Sequence, residues 1–257
     1  MGDSRRSGLV AFTRVWLISH LCVLCVYVLS VTDMGRGRYP ARLKVTVPPP
    51  EIAARYYRSW PAHELYHHPD RFPLLNAESL FGRNAPLTLE LGCATGEYIC
   101  TLATAQPDAC FVGVDIVAKP LYRAVERAVE LGLENIIFLQ ADARLLYQRI
   151  PDCVLTTIIL HFPPPLLRNR QRNQLLVSAQ MLGCAERSLV PGGYLSFLTD
   201  HPDLFSLMQE LLPAFPRLRG LPASPSELAV FESHYHRRWA ARGREIRGLR
   251  IERIAEE

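Results

Sequence analysis

Lysine is almost absent from this chain of 257 residues. Of its 29 basic residues only Lys44 and Lys119 are lysines, which leaves 27 arginines beside 25 acidic residues. An arginine side chain donates two hydrogen bonds at once and suits phosphate groups, but a bias toward arginine on solvated surfaces would give the same composition. The scarcity of lysine therefore permits an RNA partner without establishing one.

Paired cysteines are also missing. The seven cysteines stand at positions 22, 25, 93, 100, 110, 153 and 184, an odd number with no paired metal-ligand spacing in the body of the chain. The single Cys-x-x-Cys, Cys22 to Cys25, lies in an apolar run and has no second half. His63, His67 and His68 have no cysteine nearby, so we interpret them as surface histidines. We expect reduced, buried thiols and no metal.

Internal repeats are absent, and the composition is ordinary for a globular protein. Hydrophobic residues make up 49% of the chain and charged residues 21%. These values exclude collagen-like, coiled-coil and disordered classes. The length suits one large domain or two small ones.

One long apolar run, from Val15 to Val31, stands apart from the rest of the sequence. As a helix it would rise roughly 26 Å, the short limit for crossing a bilayer. A secretion signal, a membrane anchor and sequence upstream of a true start at Met34 all stay open, although small residues before a cleavage site are lacking. Because the remainder is typical of a cytoplasmic protein, we favour the start at Met34. Residues 1–33 would attach the protein to a membrane only if retained as an anchor.

Residues 34–86 form a predicted amino-terminal arm that is rich in proline, tyrosine and arginine. Pro48 to Pro50 must be extended, because each ring removes a hydrogen-bond donor and restrains the residue before it. We expect one or two short helices here, such as Glu51 to Trp60, laid on the surface of the domain that follows.

From Leu87 onward, short apolar runs alternate with amphipathic stretches, which predicts one domain over residues 87–257. The predicted strands are Leu87 to Leu91, Cys110 to Ile116, Ile136 to Gln140, Val154 to Leu160, Tyr194 to Leu198 and Glu245 to Ile251. The predicted helices are Glu97 to Ala105, Leu121 to Leu131, a short one near Leu145, about Asn173 to Leu189, and Tyr235 to Ala241. This alternation predicts an α/β fold, with a doubly wound, mostly parallel sheet and helices on both faces.

The first predicted strand leads into a glycine-rich turn that reads Leu89-Glu90-Leu91-Gly92-Cys93-Ala94-Thr95-Gly96. Gly92 and Gly96 allow a sharp turn and a close approach of a ligand to a helix N-terminus. A dinucleotide site would need a third glycine for the pyrophosphate, and Glu90 would repel a phosphate. Glu90 instead favours a ligand with a cationic centre and an amino group, such as S-adenosylmethionine.

The next two predicted strands also end in acidic residues. Asp115 closes the second strand about 20 residues after the glycine turn, where an acid accepts hydrogen bonds from ribose hydroxyls. Asp142 follows the third strand, where a carboxylate would bind the exocyclic amine of adenine. Ligands in open α/β sheets bind at the carboxyl ends of strands, so three successive acids favour a cofactor site over simple caps and turns.

In these motifs and their order, the chain resembles the class I S-adenosylmethionine-dependent methyltransferases and, within them, the bacterial tRNA (guanine-N7)-methyltransferases. The motifs are Leu89-Glu90-Leu91-Gly92, Gly113-Val114-Asp115, Gly132-Leu133-Glu134-Asn135, Ala141-Asp142-Ala143, Phe162-Pro163-Pro164-Pro165, Pro191-Gly192-Gly193 and Thr199-Asp200. The resemblance covers about residues 87 to 252 and implies a seven-stranded, Rossmann-like sheet. It also implies transfer of a methyl group to N7 of a guanine in the tRNA variable loop. We expect tRNA as the partner and no stable protein partner.

The resemblance also implies residues on the substrate side of the site. The family's catalytic aspartate falls on Pro164, which has no side-chain acceptor, so no catalytic residue is assigned. Arg168 keeps the charge of the family's substrate-binding lysine, and Asp200 matches its substrate aspartate. In the tail, Ser233 replaces a threonine and keeps its hydroxyl, whereas His236 replaces a glutamate and loses its charge.

Loss of the acid at Pro164 need not abolish catalysis, because guanine N7 has an exposed lone pair and no proton must be removed. Alignment of the reactants can supply on the order of 7–11 kcal/mol, whereas one missing electrostatic contact costs about 3–4 kcal/mol. Asp200 could partly substitute, and we interpret His161 as a strand-end histidine. Two alternatives stay open: a catalytically impaired tRNA-binding protein that keeps the fold, and a methyltransferase for another substrate.

Overall fold

The three-dimensional structure is a computed structural model that describes residues 43–165, 175–224, 243 and 245–255. Val45–Glu257 form one compact unit. Within the described ranges, no helix has both the length and the apolar character that crossing a membrane requires. The expectations for residues 1–33 and for the helix from Tyr235 to Ala241 lie outside the described residues.

Eight strands and eight α-helices are formed by the residues that the structure describes. The strands, β1 to β8 in chain order, are Tyr57–Ser59, Leu87–Leu91, Cys110–Asp115, Ile136–Gln140, Leu155–His161, Leu189–Thr199, Leu218–Pro222 and Arg247–Arg253. The helices, α1 to α8, are Pro50–Tyr56, Ala62–His67, Ala77–Phe81, Glu97–Ala105, Ala118–Glu130, Ala143–Leu146, Ala179–Ser188 and Pro202–Leu211. Short 3-10 turns follow α2, α6 and α8.

These strands join one sheet in the order β1-β4-β3-β2-β5-β6-β8-β7. Neighbours from β1 to β6 are parallel, whereas β8 pairs antiparallel with β6 and with β7. The predicted α/β fold with a mostly parallel open sheet is confirmed. The sheet has eight strands instead of seven, because the short strand β1 from the predicted arm pairs with β4 at the sheet edge.

Helices cover both faces of the sheet, and each face has its own core. Phe111 and Phe138 face α4 and α5, while Val112 and Leu139 face the opposite side, where α7 and α8 pack. The central strand β2 is buried along its whole length. This pattern explains the continuous apolar runs, since a parallel strand covered on both faces has no solvent side.

Several predicted boundaries are wrong, and the structure gives a reason for three of them. Among the others, the strand predicted from Tyr194 begins at Leu189. The helix predicted from Glu51 to Trp60 ends at Tyr56, because the following residues pair with the open edge of β4. The helix predicted from about Asn173 begins at Ala179, where the Ser178 side chain accepts a hydrogen bond from the Met181 N–H at 3.2 Å. The closing strand predicted from Glu245 to Ile251 runs instead over Arg247–Arg253, and it is set by pairing with β6. The strand β7 was not predicted.

The segment between β1 and β2 contributes to the core on the α7 side. Trp60 is 4% exposed and Leu65 and Leu75 are fully buried, in the same cluster as Leu87 and Leu89. These residues form part of the core on that face of the sheet. The arm was expected to lie on the surface of the domain, and this expectation is wrong for the three residues. The domain boundary placed at residue 86 stays a prediction.

Candidate active site

The carboxyl ends of the parallel strands carry polar side chains on one face of the sheet. Glu90 pairs with Gly113, which is two residues before Asp115, and Asp115 pairs with Gln140. Paired residues of parallel strands, like residues two apart on one strand, project from the same face. Glu90, Asp115 and Gln140 therefore lie in one row, on the face that α4 and α5 cover.

The turn between β2 and α4 depends on two glycines in left-handed conformation. Gly92 has φ +82°, and a Cβ placed on it would meet no atom within 4 Å, so there is open space next to the turn at this position. Gly96 has φ +67°, and its Cβ would lie 2.8 Å from the Cβ of Ala124. Gly92 thus allows the left-handed turn, while Gly96 lets α4 pack closely against α5.

Asp115 ties the end of β3 to this turn. Its carboxylate accepts hydrogen bonds from the backbone N–H of Ala94 at 3.1 Å and of Val117 at 2.9 Å. Burial raises the pKa of Asp115 above its ordinary value, although these backbone hydrogen bonds oppose the rise. The carboxylate is therefore fixed in position before any ligand arrives.

Glu90 is the least satisfied acid of the row. Its side chain is 6% exposed, and its Oε2 atom has no hydrogen-bond partner among the described residues. Burial and the neighbouring charge of Asp115 raise the pKa of Glu90 to about 8, although a hydrogen bond from the Ile99 N–H opposes the rise. A buried acid of this kind is stabilised by a ligand that brings a positive charge or an N–H donor.

Asp142 is engaged locally in a way that the sequence analysis did not foresee. Its side chain caps α6 by accepting from the Arg144 N–H at 3.0 Å, and the Arg144 guanidinium donates to both carboxylate oxygens. Asp142 is 5% exposed and the Arg144 side chain 19%, so this ion pair is partly buried at the carboxyl end of β4. The capping contact, considered as an alternative to cofactor binding, is present in the structure.

Gln140 was missed by sequence reasoning because its partners come from the arm. The Tyr57 hydroxyl donates to Gln140 Oε1, and the Ser59 hydroxyl lies 3.3 Å from the same atom. Burial is the main cause that raises the pKa of Tyr57 to about 12, so the phenol stays a donor at neutral pH. The strand β1 thus extends the polar row by one strand.

On the other side of Glu90, β5 ends at His161, as predicted for a strand-end histidine. Its Nε2 atom lies 2.8 Å from the Ser196 hydroxyl of β6, and its ring lies 4.9 Å from the Tyr98 ring of α4, measured between centroids. Sequence reasoning missed Tyr98 and Ser196, since neither belongs to a recognisable motif.

The backbone has an uncommon conformation just beyond His161. Phe162 has φ +50°, a left-handed conformation that a bulky side chain adopts at a cost on the order of 1–3 kcal/mol. Its N–H donates to the Leu198 carbonyl at 2.7 Å, which continues the pairing of β5 with β6 by one residue. Pro164 follows and is exposed. Strain of this kind is typical of functional sites.

The remaining predicted substrate residues are only partly described. Asp200 directly follows β6, at the carboxyl ends of the parallel strands where His161 also lies, and is partly buried. Arg168, Ser233 and His236 lie outside the described residues. Where side chains are described, no cluster of three or more His, Cys, Asp or Glu could hold a metal ion.

The geometry defines what kind of ligand this edge can accept. Glu90 keeps a buried carboxylate oxygen without a partner two residues before Gly92, and the Asp115 carboxylate on the same face is fixed by the Ala94 N–H. S-adenosylmethionine carries a sulfonium, an ammonium group and ribose hydroxyls. The cationic groups match the buried carboxylate of Glu90. The ribose hydroxyls match the carboxylate of Asp115, which can still accept hydrogen bonds, so the residues present fit this cofactor.

Family and sequence comparisons agree with this chemistry. The family model Methyltransf_4, described as "Putative methyltransferase", matches residues 84–249. The chain is 79% identical over 224 residues to the tRNA (guanine-N(7)-)-methyltransferase of Chloroflexus aurantiacus, an alignment that covers 87% of this chain and 100% of the relative. Relatives of the same name from Chloroherpeton thalassium and Rubrobacter xylanophilus are 40% and 41% identical, over 82% and 80% of this chain and 95% and 93% of their own lengths.

A solved structure shares the fold. The 16S rRNA methyltransferase KamB superposes with a TM-score of 0.52 at 18% identity, over 70% of this chain and 92% of KamB. At this level of identity the likeness concerns the sheet and its helices alone.

Proposed function

Because the chain belongs to the tRNA (guanine-N7)-methyltransferase family, we propose that it transfers a methyl group from S-adenosylmethionine to N7 of a guanine in the tRNA variable loop. The observation that carries this proposal is the 79% identity, over 224 residues, with a relative of that name. The row of acids at the carboxyl edge of the sheet supports it. The cytoplasm is the proposed location, since a tRNA-modifying enzyme meets its substrate there.

Glu90 and Asp115 are proposed to hold the cofactor. S-adenosylmethionine, when bound, supplies a methyl group on a sulfonium. Glu90 would face the cationic part of the cofactor with its unpartnered Oε2, and Asp115 would accept hydrogen bonds from ribose hydroxyls. Gly92 and Gly96 shape the turn that lets the ligand approach the backbone.

Asp142 is proposed to bind the exocyclic amine of adenine in spite of its ion pair with Arg144. An ionised carboxylate offers about four acceptor positions. The Arg144 N–H and Nε both donate to Oδ1, and Nη2 donates to Oδ2. One acceptor position on Oδ2 therefore remains for an amine donor.

On the substrate side, Arg168 would contact tRNA phosphate, and Asp200, Ser233 and His236 would contact the target nucleotide. Guanine N7 attacks with a lone pair that is already exposed, so the chain needs no general base. Its contribution is to align the base and to stabilise the positive charge that guanine acquires. Asp200, which follows β6 at the carboxyl edge of the sheet, would help to stabilise that charge.

One observation favours a second candidate function. Pro164 is exposed and has no acceptor at the position of the family's catalytic aspartate. A protein that keeps the fold and binds tRNA, but is catalytically impaired, would tolerate this residue. A methyltransferase that acts on another substrate would tolerate it as well.

Nucleoside mass spectrometry distinguishes these functions. Unmodified tRNA is incubated with the full chain and S-adenosylmethionine, and with a double variant, Glu90→Ala and Asp115→Ala, whose folding is checked by thermal melting. We expect N7-methylguanosine from the wild type well above the double variant, and chemical cleavage at the modified base should map it to the variable loop. Binding of tRNA without methylation would favour the impaired protein, and methylation of another base or molecule would favour another substrate.

A further inference from the structure

The position of His161 in the sheet places it on the transfer side of the cofactor site. Ile159 pairs with Glu90 of β2 and with Ser196 of β6. His161 is two residues further along β5, so its side chain projects from the same face as those of Glu90 and Ser196. In the sheet order, Asp115 and Asp142 follow strands on one side of Glu90, whereas His161 lies on the other side.

The His161 ring is held from two directions. The Ser196 hydroxyl meets its Nε2 at 2.8 Å, and the Tyr98 ring packs against it at a centroid distance of 4.9 Å with the planes tilted by 52°. Tyr98 is the second residue of α4, the helix that begins at the end of the glycine turn. The two rings therefore bridge the first turn of α4 and the end of β5, immediately beside the site proposed for the cofactor.

The backbone hydrogen bonding of β5 continues one residue beyond His161. The Phe162 N–H donates to the Leu198 carbonyl, and Phe162 has a left-handed conformation with φ +50°. His161 is therefore the last residue of β5 on the face that carries Glu90, and with Tyr98 it lies on the β5 side of that residue.

On these grounds, and resting on the proposed function, we propose that Tyr98 and His161 form the wall against which the target guanine lies, with Ser196 holding the His161 ring. Aromatic rings stack on bases that are turned out of an RNA strand. A base resting on this wall would present its N7 toward Glu90, where the methyl donor is proposed to bind. Tyr98 and His161 are base-contacting residues in this account, and Ser196 is a positioning residue.

Single-turnover methylation with the full chain, saturating S-adenosylmethionine and unmodified tRNA tests the proposal. His161→Ala should lower the rate constant about 10- to 100-fold, because misplacing the reacting base costs about that much. Its affinity for tRNA should change less than about threefold, because phosphate contacts supply most of that affinity. His161→Phe keeps a ring and should recover most of the rate, and Tyr98→Phe should remain near wild type.

Ser196→Ala and His68→Ala complete the set. Ser196→Ala frees the His161 ring without removing it, so the rate constant should fall by a smaller factor, roughly three- to tenfold. His68→Ala removes an exposed histidine far along the chain and serves as the matched control, with the wild-type rate expected. Calorimetry should show unchanged S-adenosylmethionine affinity for every variant in the set.

A crosslinking measurement separates this proposal from the proposed function. Full chain and tRNA with 6-thioguanosine at the target position are irradiated, and the attached peptide is identified by mass spectrometry. Attachment at Tyr98 or His161 supports the wall even if no methylation is detected, in which case only the proposed function fails. The wall is overturned if methylation occurs while His161→Ala keeps the wild-type rate constant, if His161→Phe is no better than His161→Ala, or if the crosslink maps to neither residue.

Discussion

Replacing Glu90 by glutamine should remove most of the pH dependence of cofactor binding. Burial and the charge of Asp115 raise the pKa of Glu90 to about 8, so the acid is mostly protonated at pH 7 in the ligand-free protein. A cationic ligand favours the ionised acid, so binding should release a proton. Two other groups share this environment, and burial is the main cause that raises the pKa of both Cys93 and Asp115.

The expected magnitude follows from that pKa. With a value of about 8, the ionised fraction of Glu90 rises roughly 80-fold between pH 5.5 and 7.5, and affinity should rise by a similar factor, about 2.5 kcal/mol. Glutamine does not ionise, so Glu90→Gln should give a nearly flat profile. At pH 7.5 its affinity should be about tenfold weaker, near the lower limit for losing a hydrogen bond to a charged group.

Titration calorimetry over this pH range, in buffers of different ionisation enthalpy, measures both the affinity and the proton released. The amino group of the ligand stays largely protonated below pH of about 7.7, and its contribution cancels between wild type and variant. Asp115→Asn separates the contribution of the neighbouring acid, and Glu134→Gln, an exposed acid paired with Arg55, is the control that should keep the wild-type profile. The reasoning is refuted if wild type is flat, or if Glu90→Gln keeps the same slope.

Four further outcomes are expected. In the ligand-free protein, Glu90→Gln should raise Tm more at pH 8 than at pH 5. The pKa of Glu90 is about 8 in the folded state and near 4.5 in the unfolded state, so the stability of the wild type falls as pH rises between these two values. Gly96→Ala should lower the free energy of unfolding in urea by about 2–4 kcal/mol, and Gly132→Ala, with φ +63° in open space, by only about 1 kcal/mol. Asn135→Ala should cost about 2–4 kcal/mol in urea, because the buried amide donates to the carbonyls of three residues at 3.0–3.1 Å. Pro164→Asp should raise the single-turnover rate constant about tenfold or more by restoring an acceptor.

Each of these expectations has a contradicting result. An equal Tm difference at both pH values would show that the Glu90 charge does not strain the fold. Equal losses of unfolding free energy for Gly96→Ala and Gly132→Ala would show that the close contact at Gly96 adds nothing to the cost of the left-handed backbone. A loss below about 0.5 kcal/mol for Asn135→Ala would contradict its structural role, and an unchanged rate constant for Pro164→Asp would show that the missing acid does not limit the reaction.

Much of the cofactor edge could be predicted because its signals are local in sequence. The turn from Glu90 to Gly96 and the acid at Asp115 each follow a buried apolar run, and parallel strands bring their carboxyl ends to one edge. The pair Asp142 and Arg144 was missed although the two residues are only two positions apart. An aspartate followed by a short helix with an arginine at its second position is a local signal for helix capping and for this ion pair.

Other contacts could not be predicted, because they join residues far apart in the chain. Tyr57 and Gln140 are 83 residues apart, and His161 and Ser196 are 35 residues apart. No local periodicity marks such pairs. Such pairs can be identified only when the strand order and register are known. The same holds for β1, which forms a strand at the side of the sheet where the sequence pattern predicted helix.

By itself, the sequence determined the alternation of strands and helices, the glycine turn and the positions of the acids, since hydrophobic period and backbone freedom are properties of neighbouring residues. The tertiary structure alone decided which of those acids keeps a carboxylate oxygen without a partner, and which aromatic rings meet at the end of β5. Burial, desolvation and side-chain pairing depend on which distant residues the fold brings into contact, and the pattern of neighbouring residues does not show those contacts.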